Sequence, residues 1–429
     1  MLTGSAWISP LCLLWKLHRD PLNFLTRLHR RHGRFVALRG GPRPVYSVSD
    51  PERIREVLVV RGDHFAKGRG LELAKAVIGE GLLTSEGEVH LCQRRKLQPA
   101  FSRGRLEHDA DLMVQATLDM MAGWRDGEQR DFYAEMTALS LDIMARTLFG
   151  RSLGEQAPLF LEALHLTVDR FQVGLIPIMG LIERLPLEFN RRFDRAIQRL
   201  DQVVQQRIQE RRSGQPGPDI LWFMLESNFS EQQLRDETMT MFLAGHETTA
   251  SALSWMMGLL GRHPEWAQRA SREVDKVLGS RLPGARDVPQ LVLCQGIWLE
   301  AMRLYPPAWM IGRRCLRPTQ IGQESIRAGS IMILSQWVAH RDPQLYALPE
   351  QFCPQRWSSQ GPPRLAYFPF GAGVRLCIGE PFAHLEGVLI LASLLQRFRF
   401  RALQSELPRP VPRVTLEPRG GLPLRIEAR

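Results

Sequence analysis

The segment FPFGAGVRLCIGEPFAHLEGVLILASLLQRF, Phe368–Phe398, joins a glycine-rich loop to an apolar helix and sets one cysteine, Cys377, at the joint. Core spacing at Phe382, Leu385, Val388 and Leu395 predicts the helix, because apolar residues at these intervals share one face. Two phosphate-binding readings fail on single letters. A dinucleotide loop needs a third glycine where Leu376 stands, and a Walker loop needs Gly-Lys. A cysteine nucleophile needs an imidazole partner, which the sequence does not place.

A metal-ligand reading accounts for more of the residues. A cysteine beside a helix N-terminus is biased toward thiolate by the dipole and the free N–H groups. Gly371, Gly373 and Gly379 let the backbone approach a flat, bulky cofactor. Arg375 can reach an anionic group on it. A lone thiolate with a basic neighbour suits haem iron, where sulfur pushes electron density toward bound oxygen. Phe370, Gly373, Arg375, Cys377 and Gly379 fill the pattern F-x-x-G-x-R-x-C-x-G. That pattern resembles the haem-ligand signature of the cytochrome P450 family, and Phe382-Ala383 with Glu386 continues the likeness. The resemblance implies a mainly α fold with small β-sheets, residues 1–429 forming a single domain. It also implies haem b (iron protoporphyrin IX) bound between a long central helix and the Cys-loop helix, with Cys377 on the iron.

The second informative stretch is AGHETT, Ala244–Thr249. A zinc-protease H-E-x-x-H site would need a second histidine at Ala250. The stretch lies in a long helical pattern that opens with a Ser230/Gln233 capping box and ends before Pro264. At 1.5 Å per residue such a helix spans roughly 48 Å. Gly245 costs it about 1 kcal/mol relative to alanine. Ala244 and Thr248 share a face, and the small residues read either as room for a ligand or as a helix-packing notch. By resemblance AGHETT is the oxygen-activating part of the family's central helix. Glu247 is then the acid and Thr248 the hydroxyl that deliver protons to dioxygen, Ala244 lies against the haem, and His246 points away.

Other landmarks are similar to the family's. LEAMRLYPP carries Glu300 and Arg303 at i,i+3, and PEQFCPQRW supplies Arg356. The resemblance makes these a structural Glu-Arg-Arg triad with no chemistry. Arg94 matches the arginine of a W-x-x-x-R motif, with His90 where tryptophan is usual, and Arg313 matches another propionate-binding arginine. His384 reads as a packing residue. Strand signals predict a hairpin of RFVALRG and VYSVS around GGPRP, strands in SIRAGSIMILSQ, and a closing hairpin of VTLEP and LPLRI around Gly420-Gly421.

The composition is globular, with 44% hydrophobic and 24% charged residues. No stretch approaches the about 20 apolar residues of a spanning helix. Six cysteines without framework spacing fit a reducing compartment, and the expectation is a soluble, cytoplasmic enzyme without a transmembrane anchor. The net charge is +11, and only five of the 56 basic residues are lysine. The arginines are dispersed and no nucleic-acid module is recognisable, so no nucleic-acid partner is expected. One local cluster, Gln93–Leu106, reads as a docking patch for an acidic protein.

The resemblance therefore implies a monooxygenase fed by a ferredoxin or flavodoxin-type donor with its reductase. The alternatives are a peroxide-driven peroxygenase and a non-catalytic haem sensor. The intact Glu247–Thr248 pair argues against the peroxide route, because peroxide brings both oxygens. Apolar stretches at Gly70–Leu83 and Phe171–Pro186 predict a lid for a lipophilic substrate, a fatty acid or terpenoid.

Overall fold

The computed structural model describes residues 4–41, 43–174, 188–358 and 361–429. Most of these are helical. The predicted central helix runs from Glu231 to Arg262. Ser230 Oγ accepts from Gln233 N and Gln233 Oε1 accepts from Ser230 N, so the capping box forms. From Thr249 to Gly261 this helix is buried on every face, which only a helix through the middle of a core sustains. Around it pack Arg103–Met121, Phe132–Phe149, Val292–Leu304 and the Cys-loop helix Glu380–Arg397.

One six-stranded mixed sheet flanks the bundle, in the order Gly4–Trp7, Phe35–Arg39, Val45–Val48, Ile331–Leu334, Ile311–Cys315, Phe65–Lys67. Its first hairpin is the predicted one, with Phe35 opposite Val48. Ile331–Leu334 and Glu324–Ile326 fulfil the strand signals near residue 330.

The closing hairpin is different. Leu416–Pro418 pairs with Pro410–Pro412, whereas Pro423–Ala428 inserts between Phe398–Ala402 and Gln129–Asp131. Gly420 and Gly421 do turn the chain, at φ of 79° and 89°. The Asp131 carboxylate, however, accepts from Leu422 N at 2.7 Å and carries the exit into another sheet. Two glycines signal a turn but not the partner of the strand that leaves it.

The Glu-Arg-Arg triad is formed and buried. Arg303 donates from Nη2 to Glu300 Oε1 at 2.8 Å, and Arg356 Nε donates to the same oxygen at 2.9 Å. Arg303 also reaches the carbonyls of His340, Pro349 and Gln351, locking the segment ahead of the cysteine loop.

Candidate active site

The cysteine loop and the middle of the central helix line one cavity of about 2020 Å³. Drug-sized ligands typically occupy roughly 300–1,000 Å³, so there is space for a large cofactor and a substrate together. Cys377, Phe370 and Gly379 of the loop and Ala244, Gly245 and Thr248 of the helix all line it.

The loop is set by its own backbone. Gly371 at φ 74° and Gly373 at φ 71° form left-handed corners, and Cys377 N donates to Phe370 O at 3.0 Å. Phe370 packs on His384 with ring centres 5.1 Å apart, and His384 Nδ1 accepts from Trp298 Nε1 at 3.1 Å, so His384 is a packing residue. Gly373 does not line the cavity. A Cβ there would meet Leu58 O at 2.0 Å, so this glycine serves the seat of the loop on the Glu56–Val60 segment rather than the cofactor face.

Cys377 opens onto the cavity. Burial pushes its thiol up, against the pull of the Gly379 N–H and of Arg94. The expected bias toward thiolate is thus present but outweighed, and a metal cation would tip the balance.

On the central helix Thr248 Oγ1 donates to Ala244 O at 2.7 Å. Gly245 proves to be the packing notch: a Cβ would lie 2.0 Å from Met144 Cε, so the neighbouring helix fills that space. Ala244 and Thr248 line the cavity beside it. His246 is buried off the cavity, beside Ser140, whose Oγ donates to its carbonyl at 3.1 Å. Glu247 also lies off the cavity, its Oε1 accepting from Thr415 Oγ1 at 2.9 Å. Burial lifts its carboxyl to about 7.

The cavity edge is cationic. His90, Arg94, Arg313 and Arg375 all line it. Arg94 donates to Leu376 O at 2.6 Å, tying it to the cysteine loop. Arg375 donates to Phe65 O at 2.8 Å and pairs with Glu86. Burial, together with Arg375, pulls Arg313 down to about 10. Burial and the charges of Lys67, Arg375 and Arg94 pull His90 to about 4, so it is neutral and free to donate to a carboxylate. Sequence reasoning missed Lys67, whose Nζ donates to Leu82 O and Ser85 O at 2.9 and 2.7 Å in the same cluster. Burial, offset in part by Glu86, pulls it down to about 7. A lone lysine in FAKGRG carries no motif, so nothing in the sequence marks it.

These residues fit haem b. A sulfur facing the cavity offers the iron a ligand, and a cationic cluster in which Arg375 pairs with Glu86 still has positive charge that two propionates would balance. Of the two lid segments, Gly70, Leu71, Leu82 and Leu83 line the cavity. Phe171–Pro186 lies largely outside the described residues.

The family model described as "Cytochrome P450" matches residues 4–423. The chain is 38% identical to cyclooctatin synthase of Streptomyces melanosporofaciens, over 93% of this chain and 89% of that protein. It is 33% identical to pentalenene oxygenase of Streptomyces avermitilis, covering 97% and 94%. Among solved structures, CYP175A1 of Thermus thermophilus superposes with a TM-score of 0.81 at 30% identity, covering 99% of this chain and all of that one.

Proposed function

The chain belongs to the cytochrome P450 family, and on that premise we propose that it inserts one oxygen atom of O2 into a terpenoid-type substrate. The cofactor is haem b and the enzyme class is monooxygenase. The observation that carries the reading is that Cys377, Ala244 and Thr248 line one cavity, together with His90, Arg94, Arg313 and Arg375. Relatives named for cyclooctatin and pentalenene support the terpenoid choice over a fatty acid. The apolar lining at Leu82, Leu83, Phe101 and Met144 is suited to such a molecule.

Held by Cys377, haem supplies the activation of dioxygen at the expense of two electrons and two protons, releasing one oxygen as water. The chain's residues do the rest. Arg94, Arg313, Arg375, Lys67 and His90 would hold the propionate carboxylates of the haem. Phe370 and the Gly371 corner keep the Cys377 sulfur aimed at the cavity. Thr248 Oγ1, now spent on Ala244 O, is placed to turn and donate into the cavity. Glu247, near 7, both gives and regains a proton at neutral pH.

The electron donor is proposed to be a separate acidic protein of ferredoxin or flavodoxin type. Arg95 and Arg103 of the expected docking cluster are exposed, whereas Arg94 is turned inward to the site. Among the described residues no helix is long and apolar enough to cross a membrane.

Cys377→Ala is expected to abolish the thiolate-type spectrum of the reduced carbon monoxide complex, and an unchanged spectrum would overturn the ligand assignment. Soret titration against terpenes, fatty acids and steroids tests the substrate class. Terpenes should displace the resting spectrum at lowest concentration, and a preference for fatty acids would refute the terpenoid reading. Product formed with reductase partners but not with peroxide separates the monooxygenase from a peroxygenase or a sensor.

A further inference from the structure

Glu247 adjoins Thr248 in sequence but faces elsewhere, because a helix turns about 100° per residue. Its partner, Thr415, is buried between strands Pro410–Pro412 and Leu416–Pro418. That hairpin is fixed to the central helix. Ser251 Oγ and Trp255 Nε1 each donate to Leu416 O at 2.7 Å, and Trp309 Nε1 donates to Arg413 O at 3.0 Å. On the outer side of Thr415 the hairpin carries Arg413 and Glu417, whose side chains lie 3.7 Å apart and are 41% and 17% exposed. The half-buried Tyr133, from the neighbouring helix Phe132–Phe149, feels both Glu417 and Glu247. Arg413 also lines the cavity, so this hairpin is part of the cavity wall, and Thr415, which does not line it, joins the hairpin to Glu247.

We propose that Thr415 is the positioning residue of Glu247, and that Glu247 regains its proton at the hairpin edge that carries Arg413 and Glu417. The inference rests on Glu247 being the acid of the reaction proposed above. Glu247 releases a proton toward Thr248 and regains one from solvent at the Glu417 side. No electron moves, and the carboxyl is restored each cycle.

The charged and titratable groups facing Glu247 are Glu417, Arg413 and Tyr133. Burial lifts the Glu247 carboxyl most and Glu417 lifts it further, whereas the Thr415 hydroxyl and Arg413 lower it. A donor to a carboxylate stabilises the ionised form, so its loss raises the folded pKa. Thr415→Val removes the hydroxyl and keeps the shape.

The test is infrared titration of the carboxyl in protein labelled at glutamate, with Glu247→Gln identifying the band. The wild-type band should titrate near neutrality. Thr415→Val should move its midpoint upward by about one unit, a tenfold change in the protonated-to-ionised ratio, and Thr415→Ser should restore it. The pH profile of product formed per reductant consumed should shift with it. If Glu247→Gln leaves coupling intact, the assignment of Glu247 as the acid has failed. If Glu247→Gln uncouples but Thr415→Val moves neither the midpoint nor the profile, the Thr415 inference alone is overturned. Loss of coupling in Thr415→Val with an unmoved midpoint and no rescue by serine overturns it as well.

Discussion

Glu300→Gln is expected to be among the most destabilising single changes in the chain. Glu300 and Arg303 both have fully buried side chains. The carboxylate accepts from Arg303 Nε and Nη2 at 2.9 and 2.8 Å, from Arg356 Nε, from Trp357 Nε1 at 2.9 Å and from Cys353 N at 3.0 Å. Glutamine keeps the shape but removes the charge, and its NH2 must face at least one of these donors. Breaking a buried pair on one side costs about 3–5 kcal/mol, because the surviving guanidinium is left uncompensated. That is a large share of a typical net stability of about 5–15 kcal/mol. Arg356→Ala is expected to cost less, about 1.5–3 kcal/mol, since Arg356 is 14% exposed and its loss leaves the Glu300–Arg303 pair intact. Urea unfolding followed by far-UV circular dichroism reads both values. The molecules that retain haem should show the wild-type reduced carbon monoxide band, because Glu300 does not line the cavity. A cost below about 1 kcal/mol for Glu300→Gln, or a larger cost for Arg356→Ala, would refute the structural account of the triad.

Gly245→Ala should change stability little. The helix gains about 1 kcal/mol, and the obstacle is the flexible end of Met144. The displaced methyl should instead weaken binding of lipophilic ligands, since Met144 lines the cavity. A double-mutant cycle with Met144→Ala should show a coupling above about 0.5 kcal/mol in the spectral Kd, and additivity would remove the notch. Lys67 gives a pH signature with a definite sign. Burial pulls its folded pKa from 10.5 to about 7. Between those values the unfolded chain holds a proton that the folded one lacks, so apoprotein stability should rise with pH across that window. A propionate beside Lys67 keeps it charged, so haem binding at about pH 8.5 should take up a proton. Calorimetry in buffers of different ionisation enthalpy measures that uptake. Lys67→Met should abolish it, and equal uptake in the variant would remove Lys67 from the site.

What the sequence discloses about this molecule follows how locally each feature is made. The cysteine loop is legible because its corners, its Cys377–Phe370 hydrogen bond and the helix it feeds all lie within one short run. The capping box and the Glu300–Arg303 pair are legible for the same reason, being i,i+3 relations on one helix. The partners of the closing strands are not, because the glycine turn is local but the Asp131 carboxylate that diverts the chain comes from far upstream. Lys67 joins the cationic edge only when its strand pairs with Ile311–Cys315 and brings it beside Arg313.

AGHETT shows both limits within one motif. Its letters name the residue types that oxygen chemistry needs, but successive residues of a helix point in different directions. Gly245 receives Met144, Glu247 meets Thr415, and Thr248 turns to the cavity. A motif that reads as one unit in sequence is thus divided among three neighbours. The acid and the hydroxyl act together only because separate segments hold each of them in place, so changes at Met144 or Thr415, which no motif contains, should alter the chemistry of residues that every motif does.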